Sequence, residues 1–250
     1  MAETFEESLK QSAPLEPISL ELAKEQHGNY TELLQKLISQ VVVIEGGSRF
    51  PDCNFIEDTA IVVGDVAVIS RMGAKAREGE EVAVAEALEK LGFLQVVHLE
   101  APAKMDGGDI LYTGKHLFVG LSHRTNQEAL AQLKGLFGEK VVGVPVEGSL
   151  HLKSTVSLFD EKTLIVAEGS SVQNFMGGYE LIEVPDIVAS NVLRVGNTLI
   201  IQEGFPRSEA ILQKLCDLRG VTLLKLNMSE LIKADGALTC GSILIFAERK

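Results

Sequence analysis

The sequence has little that would place the protein outside the reducing interior of a cell. Its 250 residues include three cysteines, Cys53, Cys216 and Cys240, an odd number that suits no disulfide framework. No pair has C-x-x-C spacing, so a structural zinc site is not expected. The N-terminus lacks a basic stretch followed by an apolar core, and no apolar run approaches the roughly 18 residues of a membrane helix. We therefore expect a reduced, cytoplasmic protein.

Positive charge is also scarce. There are 23 Lys and Arg residues against 35 Asp and Glu residues, which gives a net charge of −12. A nucleic-acid binder needs a basic surface to neutralise phosphates, and a partner of acidic lipids needs the same, so neither class is expected. The acidic balance fits a cationic small ligand, although solubility alone explains it equally well.

Flexible linkers are missing too, and one structural unit recurs along the chain. No Gly/Ser-rich or Pro-rich stretch interrupts residues 1–250, which indicates a single domain. Apolar residues at helical spacing predict helices at 18–38, 79–92, 125–137, 170–178 and 208–219. A β-branched run follows each helix, at 41–45, 95–99, 141–146, 180–184 and 222–226. Further strands are predicted within 59–70, 109–121, 156–168 and 191–202, and at 242–246.

Helix, strand, polar segment and hairpin thus occur five times, with a period of about 45 residues. A period of this length indicates a propeller or a solenoid, and the helices exclude an all-β propeller. We expect an α/β fold: a ring of five α/β modules, closed where the last strands meet the first module.

The polar segments hold most of the chemically interesting side chains. They are residues 51–58, 105–109, 148–154 and 233–242, each between the first strand of a module and its hairpin. Equivalent positions of a closed ring converge on its axis. A nucleophile, a base and several carboxylates could therefore meet there although they are distant in sequence.

Cys240 and His151 are the candidates for nucleophile and base. A cysteine before a strand can be presented to a pocket as a thiolate, and a positioned histidine can relay protons. The alternatives remain open, since free cysteine is more often a small buried residue and His151 suits an exposed loop equally well. Asp106 can orient a histidine, although its Asp-Gly-Gly-Asp string also suits a plain turn.

Paired carboxylates precede the first hairpin. Glu57 and Asp58 are costly to bury unless a cation pairs with them, and a guanidinium is a good bidentate partner. Arg71 and Arg124 each end a hairpin strand and could hold a carboxylate of a ligand, although most such arginines are simply solvated.

At these residues the sequence resembles the dimethylarginine dimethylaminohydrolases of the guanidine-modifying (pentein) superfamily. The matching strings are FPDCNFIEDTAIV (50–62), ISRMG (69–73), EVAVAEALEKLG (81–92), MDGGDILYTGKHLFVGLSHRTN (105–126), VPVEGSLHLKS (144–154) and SELIKADGALTCGSILI (229–245). The resemblance implies a five-module α/β propeller with pseudo-five-fold symmetry, in agreement with the repeat.

The resemblance also implies roles for individual residues. Cys240 matches the nucleophile, His151 the acid/base and Asp106 the carboxylate that orients it. The implied substrate contacts are Asp52, Glu57, Asp58 and Asp235 at the guanidinium and amine ends, and Arg71 and Arg124 at the α-carboxylate.

The implied reaction converts Nω-methylated arginine to citrulline and an amine through a covalent intermediate on the cysteine. No metal or organic cofactor is expected, and Zn²⁺ at Cys240 would inhibit rather than catalyse. The expected partner is therefore the small-molecule substrate, bound by a monomer or a homodimer.

Two departures from the family pattern keep alternatives open. Residues 1–17 offer no Leu-Val-Arg-like strand, so the first module is expected to be incomplete. The chain has His151-Leu152-Lys153 where arginine and agmatine deiminases have His-x-Asp, which favours the methylarginine enzymes. A deiminase and a catalytically silent binding or regulatory protein are the alternatives.

Overall fold

Four small sheets of one design make up most of this mixed α/β fold. The computed structural model describes residues 1–246, and within them twelve strands form four three-stranded sheets. The strands are β1 Ala60–Val63, β2 Val66–Ile69, β3 Gln95–His98, β4 Ile110–Tyr112, β5 Leu117–Leu121, β6 Val141–Pro145, β7 Val156–Asp160, β8 Thr163–Ala167, β9 Glu180–Val184, β10 Leu193–Val195, β11 Thr198–Gln202 and β12 Thr222–Leu226. The α-helices are α1 Leu20–Leu37, α2 Glu81–Leu91, α3 Gln127–Phe137, α4 Pro206–Arg219 and α5 Ser229–Ile232.

Each sheet repeats the same strand order. Its first strand pairs antiparallel with the middle strand, which pairs parallel with the third. The middle strands are apolar and include the fully buried Val68, Val119, Ile165 and Ile200. Strands covered on both faces read as continuous apolar runs, which is why these four segments do not alternate with polar residues.

A helix connects the middle strand to the third strand in three of the four sheets. In the remaining sheet, β7–β9, that connection contains a 3-10 turn at Ser171–Phe175, so the helix predicted over 170–178 is wrong. The stretch lies between Gly169 and the pair Gly177-Gly178 and contains serine and asparagine. All of these residues are poor helix formers.

The longest helix, α1, is amphipathic. The Ser19 side chain accepts a hydrogen bond from the backbone N–H of Leu22 and caps the helix. Its buried face, with Ala23, Tyr30 and Leu34, packs into one hydrophobic cluster with residues near both chain ends. None of the helices described by the structure has the length and apolar character needed to cross a membrane.

The strands predicted at 41–45 and 242–246 are not formed. Both segments lie within the described residues, but neither pairs with a strand, and Val42 and Val43 are exposed. Both segments line one cavity, whereas in each of the four sheets a middle strand joins the outer two. The strand propensity of β-branched residues depends on packing against a neighbouring strand. The sequence pattern alone was therefore insufficient to predict whether these two segments form strands.

The N-terminus of α3 generates a stability prediction. Asn126 Oδ1 accepts hydrogen bonds from the N–H groups of Ala129 (3.1 Å) and Lys104 (2.9 Å), and its Nδ2 donates to Pro102 O (3.0 Å). We expect Asn126→Ala to lower the free energy of unfolding by about 1–2 kcal/mol, because it removes both a helix cap and a link to the preceding loop. Urea unfolding measures the change.

Asn197→Ala is the control, since Asn197 makes a single exposed hydrogen bond to Gly220 O. Its unfolding free energy should change by at most about 0.5 kcal/mol. Equal losses of unfolding free energy in the two variants would contradict a stabilising role for the Asn126 cap.

Candidate active site

A 3-10 turn precedes the first strand of each sheet and carries polar side chains. These turns are Ile56–Thr59, Gly107–Asp109, Leu152–Ser154 and Ile187–Ser190, and a further one lies at Thr239–Gly241. Four of them fall within or overlap the polar segments predicted from the repeat, and Ile187–Ser190 lies outside those segments. Since hydrogen bonds join neighbouring turns, the polar side chains meet at one place although they are up to 182 residues apart in sequence.

The first three turns are joined through buried carboxylates. Asp58 Oδ1 accepts the N–H of Gly108 at 2.9 Å. Asp106 Oδ2 lies 3.1 Å from Nε2 of His151, and Asp58 Oδ1 lies 3.9 Å from Nδ1 of the same ring. The imidazole is therefore held between two carboxylates, one at each nitrogen.

The remaining turns complete the circuit through an asparagine. Asn191 Nδ2 donates to Lys153 O (2.9 Å) and to Thr239 Oγ1 (3.0 Å), and its Oδ1 accepts the N–H of Thr239 (3.0 Å). The Thr239 hydroxyl in turn donates to Glu57 Oε2 (2.9 Å). Because Glu57 and Asp58 are consecutive, the last turn is tied back to the first.

A cavity of about 180 Å³ opens where these turns meet. The chemically active side chains that line it are Cys240, His151, Glu57, Lys153 and Asp235. Its volume is below the roughly 300–1,000 Å³ of pockets for drug-sized ligands, so it suits a ligand of amino-acid size.

The electrostatics favour a charged imidazole. Burial by itself would lower the pKa of His151, but Asp58, Asp106 and Asp109 outweigh it and raise this pKa to about 9. Burial would likewise raise the pKa of Asp58, yet the imidazolium of His151 and the guanidinium of Arg77 lower it. His151 is therefore a proton donor at neutral pH.

For Cys240, in contrast, the surroundings favour the neutral thiol over the charged thiolate. Burial raises its pKa, and the negative charges of Glu57 and Asp58 raise it further. Burial also raises the pKa of Glu57, against the opposing ion pair with Lys153, whose Nζ lies 2.6 Å from Oε1. Without another cation nearby the thiol stays protonated.

Asp58 is fixed by an arginine that sequence reasoning missed. Arg77 is buried, with Nη1 2.5 Å from Asp58 Oδ2 and Nη2 2.8 Å from Glu80 Oε2, and it also donates to Phe55 O. It lies in a 3-10 turn before α2. Arg77 and Asp58 are 19 residues apart in sequence. This spacing matches no helix or strand period, so the contact, which depends on the path of a loop, could not be predicted from the sequence.

The arginines predicted to hold a carboxylate are placed differently. Arg71 is exposed, and its Nε donates to Ala103 O. Its role in binding a carboxylate stays a prediction. Arg124 Nη1 lies 3.0 Å from Asp106 Oδ2, the same carboxylate oxygen that contacts His151 Nε2.

Two predicted carboxylates bind the N-terminal segment. Asp52 is buried and accepts the N–H of Leu9 at 3.2 Å, and Asp235 accepts the N–H of Gln11 at 2.5 Å. Burial raises the pKa of Asp52, against the opposing charge of Arg77. Residues 9–11 therefore cover one side of the site.

Sequence reasoning also missed Asn191. This buried amide joins the third module to the fifth, and its turn directly precedes β10. The repeat could have identified it, because residue 191 occupies the position in the fourth module at which the other modules have polar candidate residues. The sequence analysis named no candidate in that module.

A potential cation site includes His151 and the two carboxylates beside it. One ligand atom each from Asp58, Asp106 and His151 lies within 4.8 Å of the others. Arg77 and Arg124 already bind these carboxylates, which weakens the attraction for a metal ion. Cys240, the predicted position of an inhibitory zinc, is not part of this group.

The Asp-Gly-Gly string has a steric requirement, which gives a second prediction. A Cβ on Gly108 would lie 2.6 Å from His151 Nδ1 and 2.8 Å from Asp58 Oδ1. We expect Gly108→Ala to displace the ring and to lower the free energy of unfolding by about 1–3 kcal/mol.

Gly135→Ala is the matched control for urea unfolding. Gly135 lies in α3 with nothing within 4 Å of the added Cβ, so alanine there should stabilise the protein by up to about 1 kcal/mol. Stabilisation by both substitutions would contradict the close packing around Gly108.

The raised pKa of His151 gives a third prediction. Asp106→Asn removes one negative partner, so the pKa of His151 should fall below about 9, whereas that of His27, which burial lowers to about 4, should stay unchanged. An NMR titration of the imidazole protons measures both. An unchanged pKa of His151 in this variant would contradict the assigned contact.

The same pair implies a pH dependence of stability. A folded-state pKa raised from 6.5 to about 9 stabilises the folded state fully below the unfolded value, and this contribution disappears as pH rises through the folded value. The contribution of His151 to the free energy of unfolding should therefore decline between pH 6.5 and about 9, and less so in Asp106→Asn.

Comparison with known proteins places the chain in a family. The arginine deiminase family model matches residues 48–242. The dimethylarginine dimethylaminohydrolase of Streptomyces coelicolor is 32% identical over 236 residues, covering 89% of this chain and 85% of its own. That of Pseudomonas aeruginosa is 29% identical over 226 residues, covering 88% and 87%. The solved structure of a Cys-to-Ser variant of the P. aeruginosa enzyme, in complex with citrulline, superimposes with a TM-score of 0.86 at 29% identity, covering 97% of this chain and 95% of that one. The chain thus belongs to the dimethylarginine dimethylaminohydrolase family of hydrolases, within the pentein superfamily.

Proposed function

We propose that the protein hydrolyses Nω-methylated arginines, asymmetric dimethylarginine and monomethylarginine, to citrulline and dimethylamine or methylamine. The observation that carries this proposal is the cavity in which a cysteine thiol, a protonated histidine and buried carboxylates meet. The similarity to relatives named for dimethylarginine supports the same substrate class.

The carboxylates would bind the guanidinium. Glu57 and Asp235 line the cavity, and Asp58 lies directly behind His151. A planar cation with N–H donors satisfies buried carboxylates that otherwise carry a desolvation cost. Asp52 and Asp235 would contribute to binding at the guanidinium and amine ends, and Arg71 and Arg124 would hold the α-carboxylate.

Substrate binding would activate the nucleophile. Glu57 and Asp58 raise the pKa of the Cys240 thiol, so a guanidinium placed against these carboxylates reverses their effect on the sulfur. The thiol then releases its proton to solvent, and the thiolate forms beside the carbon that it attacks, whereas the free enzyme keeps a less reactive thiol.

His151 would move the protons. The Cys240 sulfur adds to the central guanidinium carbon, the bond to the methylated nitrogen breaks, and His151 gives its proton to the departing amine. The neutral imidazole then removes a proton from water, whose oxygen adds to the same carbon. The carbon–sulfur bond breaks as the added hydroxyl becomes the carbonyl of citrulline, and the hydroxyl proton passes to the departing sulfur, which regenerates the thiol.

The proposal includes a ring of five modules in a single domain over residues 1–250. One residue from each module, namely Asp58, Asp106, His151, Asn191 and Thr239, participates in the hydrogen-bonded circuit. This supports a pseudo-five-fold propeller, in which the unpaired segments 41–45 and 242–246 belong to the module that contains α1.

The fifth prediction tests this function with purified protein and asymmetric dimethylarginine. We expect citrulline and dimethylamine in equal amounts, and a loss of at least about 10³-fold in kcat for Cys240→Ala, since the covalent step needs the sulfur. Calorimetry should show that this variant still binds the substrate.

Cys53→Ala is the control for cysteine loss, because Cys53 does not line the cavity of Cys240, and its turnover should match that of the unchanged protein. Faster ammonia release from arginine than amine release from dimethylarginine would favour a deiminase. Binding without product would identify a silent binding protein, and full activity of Cys240→Ala would exclude the proposed chemistry.

A further inference from the structure

Asp109 is a buried carboxylate that the proposed chemistry does not use. It is the last residue of the Asp-Gly-Gly-Asp string, directly before β4, and its exposed fraction is 0%. Within residues 1–246, none of the ion pairs includes Asp109. A buried carboxylate without an ion pair is costly, so the reason for its position lies in the groups that it contacts.

One oxygen of Asp109 holds the turn that carries His151. Asp109 Oδ1 accepts the backbone N–H of Leu152 at 2.9 Å, and Leu152 directly follows His151 at the start of the 3-10 turn Leu152–Ser154. The packing at this contact is tight, because a Cβ on Gly120 would lie 2.8 Å from both Asp109 Oδ1 and Leu152 Cβ. The hydrogen bond therefore fixes the backbone from which the imidazole projects.

The other oxygen of Asp109 holds the loop that carries Arg124. Asp109 Oδ2 accepts the hydroxyl groups of Ser122 and Thr125, each at 2.7 Å. The Ser122 oxygen in turn accepts the N–H of Arg124 at 2.9 Å. Thr125 Oγ1 accepts the N–H of Asp106 at 3.2 Å. The Arg124 loop and Asp106 are therefore both fixed relative to one carboxylate.

The groups that Asp109 fixes meet at a single atom of the site. Asp106 Oδ2 lies 3.1 Å from His151 Nε2 and 3.0 Å from Arg124 Nη1. Asp109 thus holds the backbone beside both groups that contact this oxygen, as well as the backbone of Asp106. A displacement of about 1 Å at a reacting group can lower a rate about 100-fold, so the positions of these three residues have to be held closely.

The charge of Asp109 also acts on the imidazole. Burial raises the pKa of Asp109, and the charge of His151 is the largest influence that lowers it. In the reverse direction, burial lowers the pKa of His151, whereas Asp58, Asp106 and Asp109 raise it. Asp109 therefore stabilises the imidazolium although it forms no ion pair with it among the described residues.

We propose that Asp109 is a positioning residue for the reaction, which fixes His151 and Arg124 at the same oxygen of Asp106. It is not among the described residues that line the cavity, so it acts through its hydrogen-bond donors and not on the substrate. The inference rests on the proposed function, because that function makes His151 the proton donor.

Asp109→Asn is the central variant, because asparagine keeps the size of the side chain but replaces one acceptor oxygen by a donor. With asymmetric dimethylarginine we expect kcat to fall by about 10–100-fold and KM to change by less than about twofold. A role in stability alone would lower the urea midpoint and leave kcat per folded molecule unchanged. Asp65→Asn removes the same charge at the exposed turn between β1 and β2, and it should keep both kinetic constants.

A second measurement tests the position of the ring without turnover. The imidazole proton resonances of His151, assigned by their loss in His151→Ala, should shift at neutral pH in Asp109→Asn and stay unchanged in Asp65→Asn. Thr125→Val removes one donor to Asp109 and the acceptor of the Asp106 N–H, so it should shift the same resonances. Adding Thr125→Val to Asp109→Asn should lower kcat by less than about a further twofold, because both act through one carboxylate.

Three results would overturn the proposal. They are an unchanged kcat in Asp109→Asn, resonances of His151 that move in neither Asp109→Asn nor Thr125→Val, and equal shifts in Asp65→Asn. If Asp109→Asn does not fold, Thr125→Val decides by the same two readouts. If the unchanged protein forms no product but the resonances shift as expected, the proposed function is wrong and the role of Asp109 in placing the ring is still supported.

Discussion

Two consecutive carboxylates, Glu57 and Asp58, reach in opposite directions around the site. Asp58 accepts a hydrogen bond from the second turn, at Gly108, and Glu57 accepts one from the last turn, at Thr239. Both carboxylates are buried, and a buried charge without partners is strongly unfavourable. Both charges are therefore stable only while the turns that supply their hydrogen-bond donors stay in position. The sheets serve this requirement, since each one fixes the strand that leaves its turn.

The charges of the site divide into a compensated part and an acidic part. Around His151, the carboxylates of Asp58 and Asp106 are matched by Arg77 and Arg124 as well as by the imidazolium. On the cavity side, Lys153 is the cation that pairs with Glu57, and the thiol still experiences net negative charge. The first part favours the protonated form of His151, and the second leaves unbalanced negative charge beside the cavity. The acidic excess of the whole chain thus has a local counterpart.

The sequence predicted what depends on periodicity and missed what depends on contacts between loops. The strands of four modules and the convergence of the polar segments follow from a repeat that can be counted. The contact of Arg77 with Asp58 depends on the path of a loop, and the amide of Asn191 has no chemical signature of its own. The predictions at 41–45 and 242–246 failed for another reason, because β propensity is local whereas a strand needs a neighbour.

That last failure shows how the turn that carries Cys240 is held. In the four sheets each polar turn leads directly into a strand with ladder hydrogen bonds, whereas the segment after Cys240 has no such ladder among the described residues. The turn is instead fixed by Asn191 and Glu57 on one side and by Tyr30 on the other, whose hydroxyl lies 2.8 Å from Ser242 Oγ. A Cβ on Gly241 would lie 2.9 Å from the Tyr30 ring, so the backbone itself rests on this buried side chain. In this module polar contacts and one aromatic ring therefore replace the support that a sheet gives in the others.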